Sequence, residues 1–168
     1  MFVLLVIFTV TFTVTIDASS WPPQMPAGMT HEEHMKQLEK ENELKKRGAA
    51  AMGFDQDTTR HAFTIESDGG SIAVDVKDAA DVATRDEVRA HLKEIAGSFA
   101  KGDFSKPFQT HGEVPPGVRV MIEKKDAIAY TYAETPLGAI VRIRTRDSQA
   151  LDAIHVFLAY QIGEHRNP

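Results

Sequence analysis

The chain has 168 residues, of which 42% are hydrophobic and 26% charged, and a formal net charge of −5. That balance belongs to a globular chain long enough to bury one core, not to a disordered one. It contains no cysteine. Disulfides, thiolate metal sites, iron–sulfur clusters and cysteine nucleophiles are therefore excluded, and the lack of a long basic block argues against nucleic acid as a partner.

Phe2 to Ile16 is an unbroken run of apolar residues and threonines. As a helix it would span about 22 Å, short of the roughly 30 Å hydrocarbon core of a bilayer. The small residues Ala18-Ser19-Ser20 follow. Residues 1–20 thus read as a signal peptide, with a periplasmic or secreted product and no stable membrane span after cleavage. No Lys or Arg precedes the apolar run; an upstream start or an uncleaved anchor would account for that. Residues 21–50 read as a linker and a polar helix. Trp21 to Met29 carries three prolines and a glycine, the composition of an extended linker. Thr30-His31-Glu32-Glu33 matches a capping box and predicts a helix to about Arg47, stopped by Gly48. Its apolar residues are few, which predicts a peripheral helix outside the main core.

Residues 51–168 read as a single α+β domain. Arg60 to Glu66 and Ser71 to Lys77 alternate apolar and polar residues around Asp68-Gly69-Gly70, a hairpin signal. Thr84-Arg85-Asp86-Glu87 predicts a helix start, and Gly102 its stop. Gly102 to Gly117 reads as loop, ending in a Pro115-Pro116-Gly117 turn of type II. Three strands are then predicted at Val118 to Glu123, Ala127 to Glu134 and Ala139 to Thr145. Asp147 or Ser148 caps a last helix running to about Glu164. The expectation is a five-stranded antiparallel sheet with two helices on one face, in the order strand-strand-helix-strand-strand-strand-helix.

Three histidines fall on apolar faces of these elements. His61 alternates with Phe63 and Ile65. His91 flanks the stripe Val88, Leu92, Ile95 and Phe99. His155 is placed in the stripe Leu151, Ile154, Leu158 and Ile162. A buried imidazole has two polar nitrogens to satisfy, and neutral imidazole is a common metal ligand. If both helices cover one sheet face, His61, His91 and His155 converge, with His111 at the rim; His165 lies three turns beyond Ile154, at the end of the stripe. Such a set suits copper or zinc, with Met52 or Met121 as a candidate thioether. The predicted function is an exported metal carrier or sensor. Its rivals are an accessory domain whose histidines are structural and whose N-terminal helix docks a protein, a histidine-dependent hydrolase or lyase, and a binder of a small aromatic or haem-like ligand between helices and sheet. His31 and His34 read as part of a polar helix. Arg119, Arg142, Arg144 and Arg146 read as a polar sheet face that could receive an anion.

The segments Met52-Gly53-Phe54-Asp55-Gln56, Thr58-Thr59-Arg60-His61-Ala62-Phe63 and Asp68-Gly69-Gly70 resemble a group of small exported bacterial proteins. Arg89-Ala90-His91-Leu92, Phe99-Ala100-Lys101-Gly102-Asp103-Phe104 and Pro115-Pro116-Gly117-Val118 extend the likeness over residues 45–166. The group's signature reads M-G-F-D-Q followed by T-T-H-H-F, and its double histidine is Arg60-His61 here. Its members are often labelled aspartate carbamoyltransferase. That activity uses an S-T-R-T-R loop at a helix start. The nearest string here, Arg142-Ile143-Arg144-Thr145-Arg146, is predicted on a strand and lacks the serine, so the sequence does not support that activity.

Overall fold

The computed structural model describes residues 28–165, so the segment read as a signal peptide and the expected linker up to residue 27 lie outside the described residues. Contacts divide the chain into two units, Met1–Gln37 and Leu38–Pro168. In the first, Thr30 and Glu33 form the predicted capping box. The Thr30 amide donates to Glu33 Oε2 at 2.8 Å and the Glu33 amide donates to Thr30 Oγ1 at 3.3 Å. They open helix α1, His31–Met52. Gly48 does not end it: the helix runs to Met52, and Ala51 is buried in the second unit.

The second unit then follows the order β1 (Thr59–Glu66), β2 (Gly69–Val76), α2 (Val82–Ala100), α3 (Ser105–His111), α4 (Val118–Glu123), β3 (Ile128–Glu134), β4 (Gly138–Thr145) and α5 (Ser148–Glu164). The sheet has four strands, not five, in the order β1-β2-β4-β3, all antiparallel. The segment expected to be the fifth strand is the helix α4. Its Val118 and Met121, three apart, are buried, whereas Ile122 is exposed. Helical spacing, not alternation, decides which side chains reach the core there. The stretch read as loop contains α3.

The helices begin where short acceptors are available. Asp81 caps α2 by accepting from the Thr84 amide, so the start lies three residues before the predicted box; Asp147 caps α5 by accepting from the Ala150 amide. Gly102, at φ +80°, ends α2 as expected. Both long helices lie against the sheet, α2 against β2, β3 and β4 and α5 against β1, β2 and β4. Between them sit the fully buried Val88, Leu92, Phe99, Val141, Ile143, Ile154, Phe157 and Leu158. Each such side chain contributes about 1.5–3 kcal/mol by leaving water. Strand register then puts His61 beside Val74, and Val74 beside Ala139, on the face these helices cover. Among the described residues, no helix is long and apolar enough to cross a membrane.

Gly117 lets α4 reach α5. Val118 N–H donates to Pro115 O at 3.3 Å, and Gly117 takes φ +84° and ψ −27°, the third position of the predicted type II turn. A Cβ on Gly117 would stand 2.2 Å from the Ala153 carbonyl oxygen. Gly117→Ala is therefore expected to destabilise the domain by about 2 kcal/mol or more. A urea unfolding midpoint equal to that of the wild type would contradict this close approach.

Candidate functional site

A cavity of about 70 Å³ opens between the sheet and the helices, with His61, His91, His111 and His165 in its lining. Each ring arrives on a different element. His61 stands on β1, His91 on the buried face of α2, His111 at the end of α3 and His165 just past the last turn of α5. Apolar walls come from Phe63, Ile72, Val74, Leu92, Phe99 and Phe157, and Met52 at the end of α1 completes them. A space of this size admits an ion with its ligands or a few waters, not a large organic molecule.

The rings are neighbours. His61 and His165 have centroids 5.6 Å apart, and those of His111 and His165 are 5.2 Å apart. Phe54 sets its ring edge-on to both His61 and His91, at 6.2 and 5.7 Å. As the rings stand, no group of three His, Asp or Glu side chains among the described residues is arranged to hold an ion.

Three of the four predicted ligands, His61, His91 and His111, share this cavity; His155 does not. The His155 Nε2–H donates to the Glu66 carbonyl at 2.9 Å, where it ties α5 to the β1–β2 turn. The reason is helical phase. With Ile154, Leu158 and Gln161 defining the inward line of α5, position 165 falls on that line, eleven residues on from 154, and position 155 falls on its flank. His165 is the ring that the stripe delivers. The signal was present in the spacing, obscured by the helix end. Met121 is buried under α4 and does not line the cavity; Met52 does.

Burial keeps the rings neutral. It pushes the His61 imidazole down to about 4, with further lowering by His91 and Lys77. It pushes His91 down to about 4, with Lys106 adding to the effect, and His165 down to about 3, with His61 and His111 adding. His111 is lowered by burial too, opposed by its hydrogen bond to Gln161 and by Glu164 and Glu113. A second structural effect is a clasp on α3. Arg47 Nε–H donates to the Thr110 carbonyl at 3.1 Å and Lys106 Nζ donates to the Ala51 carbonyl at 3.0 Å. These two bonds join the end of α1 to the short helix that carries His111.

Among the described residues, no serine, aspartate or glutamate lines the cavity, and the Thr110 hydroxyl donates to the Lys106 carbonyl at 3.1 Å. Arg144, one of the predicted basic patch, is held by Glu66 and Asp68 on the sheet. Comparison with protein-family models, with curated proteins and with solved structures finds no match to this chain.

The lowered imidazoles make stability depend on pH. Unfolded, these rings take up protons near pH 6.5; folded, His61 and His91 do so only near 4 and His165 near 3. Between those limits the unfolded chain binds more protons than the native one. Stability is thus complete above about pH 6.5 and declines as the pH falls towards about 4. The urea midpoint should drop steadily from about pH 7 to about pH 4.5, and less steeply in His165→Leu. A midpoint flat over that range would contradict the burial of neutral rings.

Proposed function

We propose that this protein is an exported binder of copper or zinc, a carrier or sensor whose ion is held by His61, His111 and His165, with His91 on the adjoining wall. The observation that carries the reading is the spacing of the rings. Two imidazoles on one tetrahedral ion, each nitrogen about 2.0–2.1 Å from the metal, have ring centres about 5 Å apart. His61 and His111 stand at 5.6 and 5.2 Å from His165, each close to that spacing. Desolvation supports the reading as well. An imidazole held neutral down to about pH 4 does not lose its coordinating lone pair to a proton at mildly acid pH.

The charge balance favours copper in its monovalent state. Among the described residues the histidines facing the cavity are neutral, no carboxylate lines it, and Lys106 is part of its wall. The penalty for burying a charge in an apolar space grows with the square of that charge, so an uncompensated divalent ion is disfavoured relative to a monovalent one. Met52 on the wall offers a soft thioether, which suits the same ion.

A second reading rests on the apolar walls together with two buried polar atoms that have no protein partner, His111 Nδ1 and Gln161 Nε2. They would suit a small neutral molecule that donates one hydrogen bond and accepts another.

Titration of the untagged protein, residues 21–168, with Cu(I) under anaerobic conditions and separately with Zn²⁺ tests both readings. The expected result is one ion bound with a dissociation constant below about 10 μM, tighter for Cu(I). His165→Ala or His61→Ala should weaken it by at least about 100-fold, and His155→Ala should leave it unchanged while lowering stability by about 1 kcal/mol. Binding weaker than about 10 μM, or equal losses in His155→Ala and His165→Ala, would contradict the ion site.

A further inference from the structure

We propose that the open edge of β3 pairs with β3 of a second copy, antiparallel about Thr131, to form a symmetric dimer with one continuous sheet. The strand order β1-β2-β4-β3 puts β3 at one end, and among the described residues it has a hydrogen-bonded neighbour, β4, on one side only. The histidine cavity takes its sheet wall from β1 and β2, through His61, Phe63, Ile72 and Val74, so this edge lies outside it. Nothing in β3 blocks a further strand. It has no proline, its register with β4 is unbroken by a bulge, and it carries no charge before its last residue, Glu134, which Arg89 Nη1 holds at 3.3 Å. Charges, prolines and bulges are the usual means of protecting an edge from such pairing.

Backbone geometry selects the partner and the register. Thr135 N–H donates to the Gly138 carbonyl, so Ala133, Thr131 and Ala129 also turn their N–H and C=O towards β4. Tyr130, Tyr132 and Glu134 turn theirs to the open side, as does the Ile128 carbonyl; the Ile128 N–H already donates to the Lys125 carbonyl. A two-fold axis at Thr131 sets Tyr130 of each copy against Tyr132 of the other, and each such pair exchanges two hydrogen bonds. Ile128 then meets Glu134, whose N–H its carbonyl accepts. This register pairs all seven residues of the strand. The other edge, β1, has no equivalent. It has eight residues, and the bond from Lys77 N–H to the Thr58 carbonyl shows that Arg60, Ala62, Thr64 and Glu66 turn towards β2. Full symmetric overlap of two β1 edges would set each residue that offers its groups against one that does not.

Side chains agree with that register. Ala129-Tyr130-Thr131-Tyr132-Ala133 reads the same in both directions. Each central cross-strand pair is therefore like with like, Tyr with Tyr, Ala with Ala and Thr with Thr, and no two charges stand opposite each other. Aromatic and threonine pairs are favourable cross-strand partners. A two-fold contact of this kind is closed, so it stops at two copies. Seven residues a side is fewer than the roughly 20–30 of a standard interface, which points to a dissociation constant of about 10–100 μM.

Sedimentation velocity of the untagged protein, residues 21–168, from about 1 to about 300 μM should show a monomer passing into a dimer and nothing larger. Thr131 is exposed, so Thr131→Lys leaves the packing of each copy intact while placing two like charges on the axis; it should weaken association at least about 30-fold. Thr64→Lys, at an exposed position on β1, should leave it unchanged. Thr131→Lys and Thr131→Glu, each monomeric alone, should associate when mixed. The chain has no cysteine, so Thr131→Cys reports the axis without interference. A cross-strand pair of the non-hydrogen-bonded kind has Cα atoms about 4.5 Å apart, within disulfide range, and Thr131→Cys should oxidise to a covalent dimer much faster than Thr64→Cys. A wild type still monomeric at about 300 μM, growth beyond the dimer, or Thr131 variants that behave as their Thr64 counterparts do would overturn the pairing.

Discussion

Removal of imidazoles from water is the constraint around which the rest of this site is organised. Four rings from four elements border one apolar space, and three of them are driven down to about 4, 4 and 3 by that burial. A neutral imidazole among aromatic and aliphatic side chains still needs donors and acceptors for its two nitrogens. Among the described residues, neither His91 nor His165 hydrogen-bonds through its ring to a protein group, and His111 satisfies only one nitrogen. Among the described residues, folding therefore leaves one imidazole nitrogen, His111 Nδ1, buried without a protein partner. Ring-edge contacts, such as those of Phe54 with His61 and His91, pack against these rings.

The scaffold explains why the space lies where it does. Central strands β2 and β4 are covered by both long helices, and the core between them is filled by Phe99, Val141, Ile143, Phe157 and Leu158. Leu158 presses so closely on β2 that a Cβ on Gly70 would meet its Cδ1 at 2.3 Å. Farther along α5, the side chains reaching the sheet become Gln161 and then His165, so the apolar filling gives way to polar groups. The short helix α3 and the end of α1 close the remaining side, joined by the Arg47 and Lys106 bonds to carbonyl oxygens.

Much of this was legible as pattern. Alternation located all four strands, the hairpin residues located the β1–β2 turn, and Asp147 marked the start of α5. What alternation could not do was tell a six-residue helix from a strand. In Val118–Glu123 the valines and isoleucine alternate by chance, and the choice is made by the turn before it and the approach to α5. Convergence of His61 and His91 followed from correct faces on a strand and a helix. His155 and His165 were exchanged because position 155 borders the stripe closely enough to be counted in it, and position 165 sits where helices often fray. Gln161 carried no sequence signal, since a lone glutamine in a helix usually faces water. The roles of His111 and Met52 depend on α3 and α1 closing the cavity, long-range packing that local periodicity does not record.

The most direct test is X-ray absorption on protein loaded with one equivalent of Cu(I). The account predicts a shell of imidazole nitrogens near 2.0 Å, with the outer-shell scattering of intact rings, lost when His61, His111 and His165 are replaced together. An oxygen-only shell, or a spectrum unchanged by that triple replacement, would contradict it.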